Sequence, residues 1–185
     1  MRDRDRVLIH GGSGSLGLMI LQFSKVLKKD CEIIVTCSDH NFEKVMLNGA
    51  NQAVRYQENN LIDIVFPGSV DYIIDLFGES DRLMPVLKKD GRYSHLHPPL
   101  SNPQELLNNQ LKYGKNFYYE ILDWIVAKQG LTGNKDEILQ AVAHYAEEKV
   151  ITPIVTKEIP LCGIANIISD TNDQIAGKTV VSLSL

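Results

Sequence analysis

The stretch Val7-Leu-Ile-His-Gly-Gly-Ser-Gly-Ser-Leu-Gly17 decides how the rest of the chain is read. Val7-Leu-Ile9 is an apolar run of strand type, and it ends in His10 and a glycine cluster. Gly12-Ser13-Gly14-Ser15-Leu16-Gly17 then fits the spacing G-x-G-x-x-G. A helical pattern begins inside it: Leu16, Met19, Ile20, Phe23, Val26 and Leu27 recur at three- and four-residue spacing. Lys25, Lys28 and Lys29 sit in the last turns of that helix, where cations suit its dipole. Each glycine has a physical task in a strand–turn–helix of this kind. The first permits the tight turn, the second lets the backbone approach a pyrophosphate, and the third lets the helix pack close against the strand. The N–H groups left at the helix start then face the anion.

Outward from this turn, apolar strands and amphipathic helices alternate. Ile33-Ile-Val35 predicts a strand, Asn41 to Leu47 a helix stopped by Asn48-Gly49, and Ala53-Val54 a further short strand. Val70 to Asp75 predicts a strand and Arg82 to Lys88 a helix; Lys89-Asp-Gly91 then turns the chain into a strand from Arg92 to Leu96. Such alternation implies βαβ units and a parallel sheet. The expected fold is α/β, a Rossmann-type doubly wound parallel sheet with helices on both faces, in one dinucleotide-binding domain spanning 1–185. Further along, His97 to Pro103 reads as loop, Glu105 to Leu111 as a short helix, and Phe117 to Trp124 as strand or helix. Asp136 to Lys149 predicts a helix with Ile138, Leu139, Val142 and Tyr145 on one face. Ile151 to Ile159 reads as a strand interrupted by Pro153, Cys162 to Ile168 as a small helix, and Thr179 to Leu185 as a closing strand.

Composition bounds the function. At 185 residues the chain is long enough for one full core, and 44% hydrophobic with 23% charged residues is ordinary for a globular protein. A net charge of -4 gives no general attraction to nucleic acid or an anionic membrane surface. No apolar run approaches the roughly 18 residues of a membrane helix, and the N-terminus lacks a signal peptide's apolar core. The expected location is cytoplasmic. Met1 to Arg6 is charged with mixed sign and reads as a solvated lead-in. Cys31, Cys37 and Cys162 form no CxxC pair and no zinc-ligand spacing, so they read as reduced core residues.

The second strand carries the choice of cofactor. It ends Val35-Thr36-Cys37-Ser38, with no acid until Asp39. Small polar groups leave room for an adenosine 2′-phosphate, which favours NADP over NAD. Asp39 has two other readings: it reaches a ribose 2′-OH, or it caps the following helix.

Taken together, these residues resemble the medium-chain dehydrogenase/reductase superfamily, in its zinc-independent quinone oxidoreductase (zeta-crystallin-like) branch. Val7 to Gly17 looks like that family's cofactor-binding turn. Asn48-Gly-Ala50 with Val54-Arg-Tyr56 resembles its "GA…VINY" stretch, and Val70 to Gly78 its "VDVVLDTVG". Leu87-Lys-Lys-Asp-Gly-Arg92 resembles "LKPGGR", and Gly177-Lys-Thr-Val-Val181 the closing "GKVVL". The ordered set covers nearly the whole chain.

The resemblance implies NADP(H) as partner and hydride transfer between nicotinamide and a quinone or activated double bond in a complete enzyme. It implies that Gly14, Ser15, Leu16 and Gly17, with Gly12 and Ser13 ahead of them, hold the pyrophosphate. Ser38 and Tyr56 would flank the 2′-phosphate. Phe77, Gly78 and Leu96 would border the adenine-ribose and nicotinamide. The family's phosphate-binding lysine falls at Asn41, and the glycine closing its fifth strand falls at His97. The resemblance further implies an N-terminal catalytic domain ahead of this segment and a homodimer through the 116–122 strand. The segment accordingly reads as a cofactor-binding half separated by excision or truncation, with a stand-alone nucleotide-binding module or relic as the alternative.

Three other patterns compete. Tyr145-Ala-Glu-Glu-Lys149 fits the Y-x-x-x-K of short-chain dehydrogenases, whose lysine lowers the tyrosine's pKa. Yet Ser15 stands where that family's middle glycine belongs, and Tyr145 continues an apolar stripe, so core packing is the default. His95 and His97 form an H-x-H pair with no third ligand placed beside them, and His10 reads as a strand-end residue hydrogen-bonded to backbone. Lys112 to Lys115 with Phe117-Tyr-Tyr119 mixes basic and aromatic residues as nucleic-acid surfaces do, but the acidic balance favours a strand at an interface.

Overall fold

The computed structural model describes residues 4–27, 30–95, 117–119, 135–164 and 178–182. The first strand, β1 (Arg6–His10), leads through the glycine turn into α1 (Ser15–Leu27). Then follow β2 (Glu32–Cys37), α2 (Phe42–Leu47), β3 (Gln52–Arg55), α3 (Leu61–Ile64), β4 (Val70–Asp75), α4 (Ser80–Leu83) and β5 (Leu87–His95). β6 (Phe117–Tyr119), α5 (Lys135–Glu147), β7 (Val155–Pro160) and β8 (Lys178–Ser182) complete the described elements.

Six strands form one parallel sheet in the order β3-β2-β1-β4-β5-β6. The order reverses between β1 and β4, so helices leave the sheet in opposite directions there. This opens a crevice at the carboxyl ends of the strands, where ligands bind in open α/β sheets. The expected doubly wound fold is the one observed.

Period-2 alternation splits the buried residues between two faces. Leu8, Ile34, Ile73 and Tyr93 belong to one core, covered by Leu61, Leu83 and Val86. Val7, Ile9, Ile33 and Val35 belong to the other, covered by Leu18, Leu21 and Val45. Each such side chain, buried fully, contributes about 1.5–3 kcal/mol.

Several boundaries and faces depart from expectation. α1 turns Leu18 and Leu21 to the sheet and leaves Leu16 and Leu27 exposed. Its second stripe serves another surface: Phe23 meets Tyr145 edge-on at 6.0 Å, and Met19 faces Pro153 and Ile154. The helix expected over Arg82 to Lys88 is a single α4 turn followed by a 3-10 turn at Met84–Val86, because Pro85 falls there and β5 already starts at Leu87. Lys89-Asp-Gly91 is not a turn before that strand but a bulge within it. Val70 pairs with Leu87, and pairing resumes at Tyr72 with Arg92. Arg6 is no solvated lead-in: its Nε lies 3.1 Å from Glu32 and its Nη1 donates to Ser69 Oγ at 2.7 Å.

Cys31 and Cys37 are buried as expected, but Cys162 is exposed, since β7 ends in a short 3-10 turn on the surface. Val142 on α5 is also exposed. The expected helix over Cys162 to Ile168 begins as the 3-10 turn Leu161–Gly163, and its residues 165–168, the expected helix over 105–111 and the part of 116–122 beyond Phe117–Tyr119 lie outside the described residues. β7 and β8 pair with each other, in parallel, as a separate two-stranded sheet.

Candidate dinucleotide-binding site

The glycine turn is built by close backbone approach. Gly11 has φ +82°, a region open to glycine, and its N–H donates to the Thr36 hydroxyl at 3.0 Å. A Cβ on Gly17 would lie 2.5 Å from Gly12 Cα and 2.6 Å from the Gly11 carbonyl, so only glycine lets α1 start against the turn. Gly14 differs: a Cβ there would meet only the Gly11 carbonyl, at 3.7 Å, so its face is open. The Leu18 N–H donates to the Gly14 carbonyl at 2.9 Å, which sets Gly14 as the residue before the helix. The N–H groups of Ser15, Leu16 and Gly17 fall in the first turn, where α-helical geometry offers no acceptor. An open glycine face beside three N–H groups and a helix dipole fits a pyrophosphate.

Beneath the turn lies a side-chain network. His10 is buried; its Nδ1 lies 2.7 Å from Thr36 Oγ1 and its Nε2 3.2 Å from Glu79 Oε2. Thr36 Oγ1 thus bridges the Gly11 N–H and His10 Nδ1, and the Glu79 carboxylate lies beside the other ring nitrogen. Burial holds the imidazole pKa below the 6.5 of a free side chain, against the pull of Asp75 and Glu79. His10 therefore bonds to side chains, not to backbone as expected from the sequence.

The end of β4 shapes the next wall. Asp75 is fully buried; its Oδ1 accepts the N–H groups of Phe77 at 2.8 Å and Gly78 at 2.9 Å, and its Oδ2 accepts the Tyr93 hydroxyl. This carboxylate fixes the 76–78 turn. Phe77 is exposed and stands over Gly11 and edge-on to His10. His95, at the end of β5, lies against Gly78, where a Cβ would come 2.7 Å from its Nε2. Leu96 and His97 lie outside the described residues.

The end of β2 makes the third wall. Ser38 and Asn41 are both buried, and the Asn41 amide donates to Ser38 Oγ at 2.9 Å. The His40 ring also reaches Ser38 Oγ, at 3.2 Å. Asp39 caps no helix; it pairs with Arg55 Nε at 3.0 Å. Tyr56 follows, part-exposed, its N–H held by the Cys37 carbonyl at 3.2 Å. Residues 12–17, 38, 41, 56, 77 and 78 thus gather at the carboxyl edge of the sheet.

The structure adds Thr36, Asp75, Glu79 and Arg55 to this edge. A buried-strand acid such as Asp75 is a sequence signal for a turn-organising carboxylate; the pairings of Thr36 and Arg55 need the β1–β2–β3 register. Tyr145 belongs elsewhere. It lines a groove of about 610 Å³ with Gln22, Lys25 and Val150, along the far half of α1 from the glycine turn.

Residues 48–181 match the model of the zinc-binding dehydrogenase family, and the chain belongs to that family. The match starts beyond the glycine turn, so the turn and the family are independent observations. In the wider grouping it is a medium-chain dehydrogenase/reductase. An NADPH-dependent alkenal/one oxidoreductase of Arabidopsis thaliana chloroplasts is 25% identical over 179 residues, covering 95% of this chain and 40% of the relative. The quinone oxidoreductase structure from Coxiella burnetii has a TM-score of 0.77 at 22% identity, over 99% of this chain and 54% of that one. A cobalt- and zinc-bound alcohol dehydrogenase from Pyrobaculum aerophilum gives 0.68 at 16% identity, over 98% and 50%. At these identities the structures establish the fold. The chain spans about half the length, or less, of the relatives it matches. Among the described residues, no three His, Cys, Asp or Glu side chains converge to hold a metal ion, so this part of the chain does not fit a zinc site.

Proposed function

We propose that this chain is the NADP(H)-binding domain of a quinone oxidoreductase-like enzyme. The supporting observation is the glycine turn opening α1 at the point where the strand order reverses. Gly12 to Gly17 would hold the pyrophosphate through the first-turn N–H groups. Ser38, Asn41 and Tyr56 would line the adenosine end, and Phe77, Gly78 and Leu96 the path toward the nicotinamide. When bound, the nicotinamide supplies hydride exchange with a quinone or activated double bond of the complete enzyme. The chain's own task is to orient that ring and exclude water from one side. No residue of this chain is assigned as catalytic acid or base.

The reading extends to the assembly. β6 lies at the edge of the six-stranded sheet, which supports a homodimer through the 116–122 strand. β8 pairs outside the main sheet, which supports a closing segment, about 179–185, that serves a catalytic domain in a full-length protein. Among the described residues no helix is long and apolar enough to cross a membrane, and a net charge of -4 speaks against nucleic acid; a cytoplasmic location accords with both.

Calorimetric titration of the 185-residue chain with NADPH, NADH and ADP-ribose tests the reading. All three should bind, NADPH tightest, because the pyrophosphate is common to them. Absence of binding by all three overturns the proposal. Tighter NADH overturns the cofactor preference and assigns Asp39 to the ribose.

A further inference from the structure

We propose that Arg55 supplies the cation for the adenosine 2′-phosphate, and that Asp39 is the resident anion this phosphate displaces. The inference rests on the dinucleotide reading above and goes beyond it by naming the residue that sets cofactor preference. The resembling family places its phosphate-binding lysine at the position of Asn41, and here Asn41 is buried with its amide spent on Ser38 Oγ. A charge is therefore missing from one side of the subsite. A charge enters from the next strand instead, since Arg55 at the end of β3 stands where the family's stretch has asparagine.

The geometry brings Arg55 to that subsite. It ends β3, in register with Cys37 at the end of β2, so its backbone lies one strand spacing from Cys37, the residue before Ser38. The guanidinium carbon lies 4.3 Å above the centre of the Phe42 ring, which holds the plane in place from below. Its Nε is 3.0 Å from Asp39 Oδ1 and its Nη1 3.4 Å from Glu58 Oε2, with both carboxylates exposed and the arginine half-buried.

Dinucleotide sites of this fold use an acid at the end of the second strand for an unphosphorylated ribose, and a nearby arginine for a 2′-phosphate. Both are present here, and each is bound to the other. Exposed ion pairs are weak and exchange readily, whereas a planar guanidinium fits a phosphate through two parallel hydrogen bonds. An incoming 2′-phosphate takes Arg55 from Asp39, while a 2′-OH leaves the pair closed. Asp39, neutralised by Arg55, does not act as the NAD-selecting acid.

Three variants of the 185-residue chain test this by titration with NADPH, NADH and adenosine 2′,5′-bisphosphate. Arg55→Gln should weaken NADPH and the bisphosphate about tenfold or more, the scale of a lost charge-assisted contact, without weakening NADH, for whose ribose 2′-OH the released Asp39 is then free. Retained NADH binding also certifies the fold of the variant. Arg55→Lys should restore part of the loss, as a point charge without the fork. Asp39→Asn should tighten NADPH and leave NADH unchanged. An NADPH-to-NADH ratio untouched by Arg55→Gln overturns the proposal while leaving the dinucleotide reading intact. NADH lost in Asp39→Asn overturns it too, by assigning Asp39 to the ribose. Wild-type chain that binds none of the three probes overturns the dinucleotide reading and this inference together.

Discussion

The imidazole of His10 and the hydroxyl of Thr36 meet at 2.7 Å directly beneath the glycine turn, and the same hydroxyl receives the Gly11 N–H at 3.0 Å. One side chain of β2 thus joins the last residue of β1 to the first residue of the turn. Thr36→Val keeps the shape and removes the hydroxyl, leaving the buried Gly11 N–H and His10 Nδ1 without this partner. Urea unfolding should show a loss of about 1–3 kcal/mol, and NADPH titration a weaker complex. Thr36→Ser should recover most of both. Equal stability of the valine variant and wild type would show that the hydroxyl does not organise the turn.

His10 makes stability depend on pH. Burial lowers its folded-state pKa below 6.5, so the unfolded chain takes up this proton first as pH falls. The unfolded state then binds more protons than the native one, and stability declines from about pH 6.5 downward until the folded imidazole also titrates. Above that window the contribution is constant. Urea midpoints at pH 7.5 and 5.5 should separate more in wild type than in His10→Gln, which cannot titrate. Equal separation in the two proteins would remove His10 as the origin.

Much of the fold was legible because β1, β2 and β4 are short apolar runs between helical patterns. The glycine turn was legible because its residues are adjacent in sequence. The adenosine end was not. Asn41 read as a missing lysine, but its amide is committed to Ser38 by a 3-10 turn at Asp39–Asn41 that periodicity does not reveal. Asp39 read as a cap or a ribose ligand, and it is held by Arg55, 16 residues on, through the β2–β3 register. Side-chain pairs across parallel strands depend on register, and register is set by the whole core. The face of α1 misled for a related reason. Its two apolar stripes serve two surfaces, and the outer one, with Phe23 against Tyr145, dominates the pattern.

The two later glycines of the turn should separate stability from binding. Gly17→Ala drives a methyl to within 2.6 Å of backbone atoms that cannot yield, and overpacking of this kind costs about 1–3 kcal/mol. Gly14→Ala points a methyl at open space, with the nearest atom 3.7 Å away, so thermal unfolding should barely move. That methyl occupies the face proposed for the pyrophosphate, so NADPH and ADP-ribose should both weaken. Undiminished ADP-ribose binding by a folded Gly14→Ala protein would place the pyrophosphate elsewhere.

The three cysteines should differ sharply in reactivity. Burial pushes the Cys37 thiol up to about 11, even with the Arg55 guanidinium nearby to lower it. The thiolate is the reactive form, so Cys37 should be inert at neutral pH. Cys31 is enclosed in the same core, whereas Cys162 is exposed beyond β7. A chromogenic disulfide reagent at pH 8 should therefore label Cys162 rapidly, and Cys31 and Cys37 only after unfolding in urea. Cys162→Ser should abolish the rapid phase. Mass mapping that found Cys37 modified in the native chain would mean that the end of β2, and with it the proposed adenosine subsite, opens to solvent far more than this packing allows.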